Sequence, residues 1–168
     1  WQAFFFIPLG AMQTCIVPVV SYNYAAGKYE RCKKTLMVAI IFGIALMMIG
    51  VVLFETIPGP MLHVFSHDPK VISIGEVAFR FIGISFIPLV SSLTFPVFFQ
   101  ALGHAVKSSI LTIIRTVFLF IPLAYLFSRF GLNYFWLTFP VTDSITTLAG
   151  YLFYRQFVKK TMPKTIME

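Results

Sequence analysis

Four ionisable residues, Glu76, Arg80, Arg115 and Asp143, lie within otherwise apolar stretches of this 168-residue chain. A charged side chain in hydrocarbon is expensive and ordinarily marks a paired partner, a polar pathway or both. Glu76 and Arg80 stand at i and i+4, the spacing that sets an acid and a base on one helical face in the favourable order. They fit a local structural ion pair near one interface, or a role in handling a substrate or ion. Arg115 and Asp143 fall in successive apolar stretches joined by a short connection, which places such helices side by side. Two arrangements answer the cost of Asp143: an ion pair with Arg115 facing the bundle interior, or a solitary carboxylate facing a watery cavity.

Other chemistry has less to stand on. His63 and His67 can share a helical face as metal ligands do, with Asp68 beside them, but they sit in a proline-flanked stretch without a further ligand, and no metal site is expected. Cys15 and Cys32 are too few and too isolated for a metal motif or a disulfide framework. The chain has no Ser/His/Asp or Cys/His arrangement, no phosphate-cradling glycine loop and no HExxH-like pair. No enzyme activity, catalytic residue or cofactor is expected.

The elements that must position these residues follow from composition. Of the residues, 58% are hydrophobic and 11% charged, and mean hydropathy is +0.87. Soluble domains carry about 25% charged residues because their surface faces water, a need that acyl chains remove. The chain therefore reads as an all-α, polytopic transmembrane bundle with no soluble domain, in contact with membrane lipid. Its formal charge of +7 does not indicate nucleic acid, because the basic residues fall between apolar runs rather than along one face.

A spanning helix needs roughly 20 mainly apolar residues. Five stretches approach that requirement, at about 1–22, 35–54, 72–99, 108–127 and 132–154, followed by a tail at 155–168. Between the second and third, Pro58, Gly59 and Pro60 break the helix, and Met61 to His67 suit a short amphipathic turn at the interface. Pro8, Pro18, Pro88, Pro96 and Pro122 lie within the stretches and suit helices bent around a cavity. Lys28, Arg31, Lys33, Lys34, Lys107, Arg155, Lys159, Lys160 and Lys164 all fall on one side, which the positive-inside rule makes cytoplasmic, the tail included. No cleavable signal peptide is visible, and the opening at Trp1, already inside an apolar stretch, suggests that more chain precedes it.

Tyr22-Asn23-Tyr24-Ala25-Ala26-Gly27-Lys28, followed by Arg31, resembles the YNYGAGK-type segment of the MATE family, the multidrug and toxic compound extrusion transporters. Gln100-Ala101-Leu102-Gly103, Ser108 or Ser109, Arg115, Pro122-Leu123, Gly131, Trp136 and Pro140 with Asp143 resemble the family's pattern across its last two helices. The resemblance implies the second lobe of a twelve-helix transporter, helices eight to twelve, lacking the lobe's first helix. It implies a multi-pass protein of the plasma (inner) membrane, an antiporter exporting drugs or other organic cations against H+ or Na+ by alternating access. The implied partners are a small cationic substrate and the missing first lobe, without which the fragment is not expected to transport.

Tyr22, Asn23, Arg115 and Asp143 are the candidates for the substrate or ion pathway. Asn23 ends a helix, where its amide can hold unwound backbone or face the cavity. One branch of the family, the NorM type, carries an acid in the tenth helix, where Pro88 to Phe99 here offers only Ser91, Ser92 and Thr94. The coupling carboxylate is therefore expected in the missing lobe. A lipid-linked oligosaccharide or peptidoglycan-precursor flippase of the same superfamily is an alternative, with only Arg80 and Arg115 to meet a pyrophosphate. A non-transporting scaffold packing through Gly43 and Gly50 is another.

Overall fold

The computed structural model describes residues 1–161, and every regular element within them is helical. Residues 162–168, including the expected tail cation Lys164, lie outside the described residues. The long helices are α1 (Gln2–Ala25) and α2 (Tyr29–Thr56); a short α3 (Pro58–His63) leads to α4 (Pro69–Ala101). Next, α5 (Ala105–Ile113), a π-helical segment at Ile114–Phe120 and α6 (Ile121–Ser128) form a continuous rod; α7 (Leu132–Phe135) is a single turn before α8 (Thr138–Thr161).

Helix α4 is the central post, packed against α1, α2, α3, α5 and α8. Its 33 residues extend about 50 Å, well beyond a hydrocarbon layer of about 30 Å. On α2, Cys32, Leu36, Ala39, Gly43, Met47, Gly50 and Phe54 are buried, and their alternating spacing of three and four draws one stripe down the helix. That stripe lies against α1 and α4 so closely that a Cβ on Gly43 would meet Val90 Cγ1 at 2.6 Å, and one on Gly50 would meet Phe86 at 2.7 Å. The opposite face presents Met37, Ile41, Phe42 and Ile49 outward. Apolar residues inside and outside are the arrangement that lipid permits.

Two apolar clusters fill the interior. One, toward the basic end, includes Val20, Leu36, Phe98, Phe99, Leu111 and Phe157. The other includes Phe5, Met47, Phe54, Phe86 and Val90. On α4, Val90 belongs to the second cluster and Phe95 to the first, so the turn between them is the seam of the core.

Four helical stretches are long and apolar enough to cross a membrane: Gln2–Ala25, Tyr29–Thr56, Pro69–Ala101 and Ala105–Ser128. Five were expected, and the difference lies in α8. It has a spanning length of 24 residues, but Thr138, Thr142, Asp143 and Thr146 line its buried face and Lys159 and Lys160 occupy its last turn. Its start also differs from the expected 132. Pro140 stands in the first turn of α8, where its missing N–H belongs to a group that has no helical partner anyway. A helix running from Leu132 would have placed that proline in its interior. The second, third and fourth expected stretches fall inside the observed helices, which continue for one to six residues at either end, and the first begins one residue before α1 and stops three short of its end.

In the connection after α2, α3 occupies Pro58–His63, earlier than the amphipathic turn expected at Met61 to His67. Asp68 then caps α4, its Oδ1 accepting from Lys70 N at 2.9 Å, with Pro69 in the first turn. The His63 and His67 rings lie 5.7 Å apart, and among the described residues no group of three potential metal ligands assembles.

Two turns at the basic end are built alike. After α1, Gly27 has φ +68°, Lys28 N donates to Asn23 O at 2.8 Å and Gly27 N to Tyr24 O at 3.0 Å. After α4, Gly103 has φ +77°, His104 N donates to Phe99 O at 2.9 Å and Gly103 N to Gln100 O at 3.0 Å. Both are Schellman caps, whose left-handed residue favours glycine because a Cβ would be strained there.

The α4–α8 contact yields a stability prediction. A Cβ on Gly150 would lie 2.6 Å from the Phe95 ring and 2.9 Å from Phe95 Cβ, too close for the helices to keep their separation. Gly150→Ala is expected to destabilise the fold by about 1–3 kcal/mol. Gly10→Ala, in α1 with nothing within 4 Å of the new Cβ, is expected to stabilise it by about 0.5–1 kcal/mol. Thermal unfolding of the two variants in detergent checks both signs.

Candidate functional site

The one acidic side chain on the buried face of α8 is Asp143, and its residue is 1% exposed. Its Oδ1 accepts from Arg115 Nε at 2.8 Å and from Ser92 Oγ at 2.9 Å. The contact joins α8, the α5–α6 rod and α4 at the seam between the two apolar clusters. Of the two arrangements open from sequence, the paired one is what the structure holds. The Arg115 side chain is 27% exposed, so its carbon stem lies along the bundle while its head reaches inward.

Ser92 was visible in the sequence only as one of three hydroxyls standing where a related branch has an acid. Its Oγ lies 2.9 Å from Asp143 Oδ1 and 3.0 Å from Leu89 O, two acceptors for a single proton. With Asp143 ionised, the hydroxyl donates to the carboxylate. Should the carboxyl take up a proton, Ser92 can accept from it and turn its own proton to Leu89 O. The Ser92 hydroxyl can thus bond to either state of the acid.

Arg115 sits in the π-helical segment, Ile114–Phe120, and Pro122 follows directly on α6. A π segment rotates side chains relative to an α-helix and is often found where a residue is re-aimed. The one sequence signal for it is the proline, whose ring and missing N–H disturb the preceding turn. Beside the site, Thr147 Oγ1 donates to Pro88 O at 2.8 Å, fastening α8 to the backbone of α4 at a proline.

The remaining candidates are not gathered at this site. Asn23 is buried at the basic end of α1, its Nδ2 donating to Val19 O at 2.7 Å while its Oδ1 has no partner. It borders a groove of about 430 Å3 between α1 and α2. Tyr22 is 70% exposed on the outside of α1. Glu76 and Arg80 border a different cleft with Glu55 at the opposite end. The expected Glu76–Arg80 ion pair does not form: among the described residues, the ion pairs within 4.0 Å are Lys33–Glu30 and Arg115–Asp143. Shared helical spacing makes such a pair reachable without requiring it. The half-buried Glu76 leans to α3, its Oε1 3.1 Å from where a Cβ on Gly59 would stand, and Arg80 stays exposed.

At the α4–α5 turn, burial and then the neighbouring Lys107 charge hold the His104 imidazole below its ordinary pKa and so favour its neutral form. Its ring lies edge-on to Phe157 at 5.0 Å, and Lys107 Nζ sits 4.9 Å from the Phe157 ring centroid. These contacts tie the turn to α8.

A family model described as MatE matches residues 1–126. The chain belongs to the MatE family. A FAD transporter of Shewanella oneidensis is 24% identical over 142 residues, covering 84% of this chain and 31% of the relative. Among solved structures, a MOP superfamily transporter of Pyrococcus furiosus, described as having a binding pocket of reverse polarity, superposes with a TM-score of 0.87 at 22% identity. That match covers 95% of this chain and 37% of the other. An outward-facing multidrug resistance MATE transporter gives 0.88 at 20% identity, covering 94% and 36%. The Vibrio cholerae MATE transporter VcmN in its bent form gives 0.85 at 17%, covering 94% and 37%. The shared fold is that of a MATE transporter, and the chain spans about a third of the length of the relatives it matches. It is an integral membrane protein of a transporter family.

The buried pair predicts an asymmetry. Arg115→Met leaves Asp143 enclosed without its counter-charge and is expected to destabilise the fold by about 3–5 kcal/mol. Asp143→Asn costs less, because the longer Arg115 can swing its head outward. The double variant Arg115→Met/Asp143→Leu is expected to regain most of the stability, since an apolar replacement removes both desolvation penalties. Unfolding temperatures of the three variants in detergent test that order, and a double variant as unstable as Arg115→Met would contradict it.

Proposed function

We propose that this chain is most of the second lobe of a twelve-helix secondary antiporter that exports organic cations in exchange for H+ or Na+. In this reading α1, α2, α4, the α5–α6 rod and α8 are helices eight to twelve. The observation that carries it is the buried Arg115–Asp143–Ser92 contact within an apolar bundle of a transporter family. Buried ion pairs inside membrane bundles are costly features that transport pathways use and inert packing does not need. Helix α8 completes the count of spans: its polar stripe points inward, while Ile145, Leu148, Tyr151 and Leu152 face outward as lipid requires.

The orientation follows the cations. With the α1–α2 turn, the α4–α5 turn and the end of α8 together at the basic end, that end is cytoplasmic in the inner membrane. Alternating access is a rocking of this lobe against the first one around a cavity that holds the cargo. The main coupling carboxylate belongs to the first lobe. Asp143, paired and enclosed, braces three helices so that the lobe moves as one piece.

Two other readings lose support here. A flippase would need cationic side chains free for a pyrophosphate, and with Arg115 taken up by Asp143 only Arg80 of the two expected ones is left. A scaffold packing on partners through Gly43 and Gly50 would need those glycines on an outer face, and both are buried against α1 and α4. The relative named as a FAD transporter favours a second reading of the cargo, an anionic flavin nucleotide moved by the same lobe motion.

Pump-deficient cells expressing the full-length protein test both. Efflux of a fluorescent lipophilic cation that stops when an ionophore collapses the H+ or Na+ gradient is the expected result and names the coupling ion. Release of FAD without cation efflux would replace the organic-cation cargo with the nucleotide. The absence of both from a well-expressed, membrane-inserted protein would refute the antiporter reading.

A further inference from the structure

The groove of about 430 Å3 between α1 and α2 is open on one face of the described helices, away from the Asp143 site. Its floor and walls are apolar, with Met12, Ile16 and Val19 from α1 and Val38, Ala39 and Phe42 from α2. At the basic end it meets four polar residues. Arg31 and Lys34 border it, both exposed and with no carboxylate within 4.0 Å among the described residues; the nearby Glu30 pairs with Lys33 at 2.7 Å. Thr35 Oγ1 donates to Arg31 O at 2.8 Å, and Asn23, 8% exposed, keeps its unpartnered Oδ1 enclosed.

The dimensions select an occupant. From Met12 to Asn23, and from Arg31 to Phe42, each wall covers eleven residues of helix, about 16 Å. That is one leaflet of a hydrocarbon layer about 30 Å thick. The groove therefore offers an acyl-length apolar slot ending in two cations that have no carboxylate partner among the described residues, beside the first turn of α2, whose dipole also favours an anion.

We infer that this groove is a binding site for an anionic glycerophospholipid. An acyl chain lies between α1 and α2, and the phosphate meets Arg31 and Lys34. The site rests on the proposed orientation only in placing that lipid in the cytoplasmic leaflet, and its binding does not depend on transport. A lipid wedged there joins α1 to α2 near the turn that ends at Lys28, where it would bear on the rocking of the lobe.

Native mass spectrometry of the full-length protein in detergent, titrated with phosphatidylglycerol, phosphatidic acid and phosphatidylcholine, tests the inference. Phosphatidylglycerol and phosphatidic acid are expected to bind at lower concentrations than phosphatidylcholine. Arg31→Ala and Lys34→Ala should each weaken that binding by about fivefold. Arg155→Ala/Lys159→Ala, which removes two other cations from the same end, should leave that binding unchanged. Equal binding of phosphatidylcholine, or a double Arg31→Ala/Lys34→Ala variant that keeps the preference, would overturn the site. So would displacement by millimolar inorganic phosphate, the mark of a small-anion site. Cross-linking of Val38→Cys to another helix of the same protein would overturn it too, by placing protein in the groove. Lipid binding without any efflux would leave this inference standing and count against the antiporter reading alone.

Discussion

Within hydrocarbon, a carboxylate survives only where the protein supplies what water otherwise would, and most of the interior follows from how that is done for Asp143. Its partners come from two other helical elements, so the contact fixes the rotation of α8, the rod and α4 about their own axes. Turning α8 by one residue would carry Asp143 away from Ser92 and bring Thr142 or Ser144 in its place. The threonine stripe of α8 is then obliged to face α4, and the apolar residues Ile145, Leu148 and Leu152 are obliged to face outward. A helix of modest overall hydropathy becomes compatible with lipid because its polar side is enclosed.

The same constraint explains why α4 is the most buried of the long helices. With no hydrophobic drive between helices in lipid, close approach and interhelical hydrogen bonds hold the bundle. Helix α4 meets both demands along its length. Val90 and Phe86 fit over Gly43 and Gly50 of α2, Phe95 fits over Gly150 of α8, and the Ser92 and Pro88 groups bond across to α8. At these contacts the small residues lie on the neighbours and the large ones on the post, and at Gly83 the order reverses under Phe54 of α2, so that three helices approach one axis closely.

The all-helical membrane architecture was legible because it depends on composition and run length alone, and the first four spans follow from apolar stretches that no soluble surface tolerates. The break before α8 was legible in Pro140 but was outweighed by the apolar run through Leu132, Phe135 and Trp136. At the site, Arg115 and Asp143 stood out because single charges in apolar runs are conspicuous. Ser92 did not, since a serine in a membrane helix ordinarily bonds to its own backbone, as Ser85 does with Ile82 O. The Glu76–Arg80 expectation failed for a related reason. Spacing along one helix says which residues can meet, and the neighbouring element, here α3, decides which do.

The paired Schellman turns connect this local chemistry to the larger architecture. Asn23 and Phe99 hold corresponding positions, each the acceptor for the amide one residue beyond a left-handed glycine, and each turn reverses the chain at the basic end. One position carries an aromatic ring that enters the core, packed edge-on to Phe157 at 6.0 Å. The other carries an amide at the edge of an open groove. Equivalent backbones with inequivalent side chains mean that the turn geometry specifies the reversal, while the side chain at that position is free to serve the surroundings of each helix pair. The buried but unpartnered oxygen of Asn23 is thus no consequence of how the turn must be made. Its position in the turn is filled equally well by a phenylalanine 76 residues later.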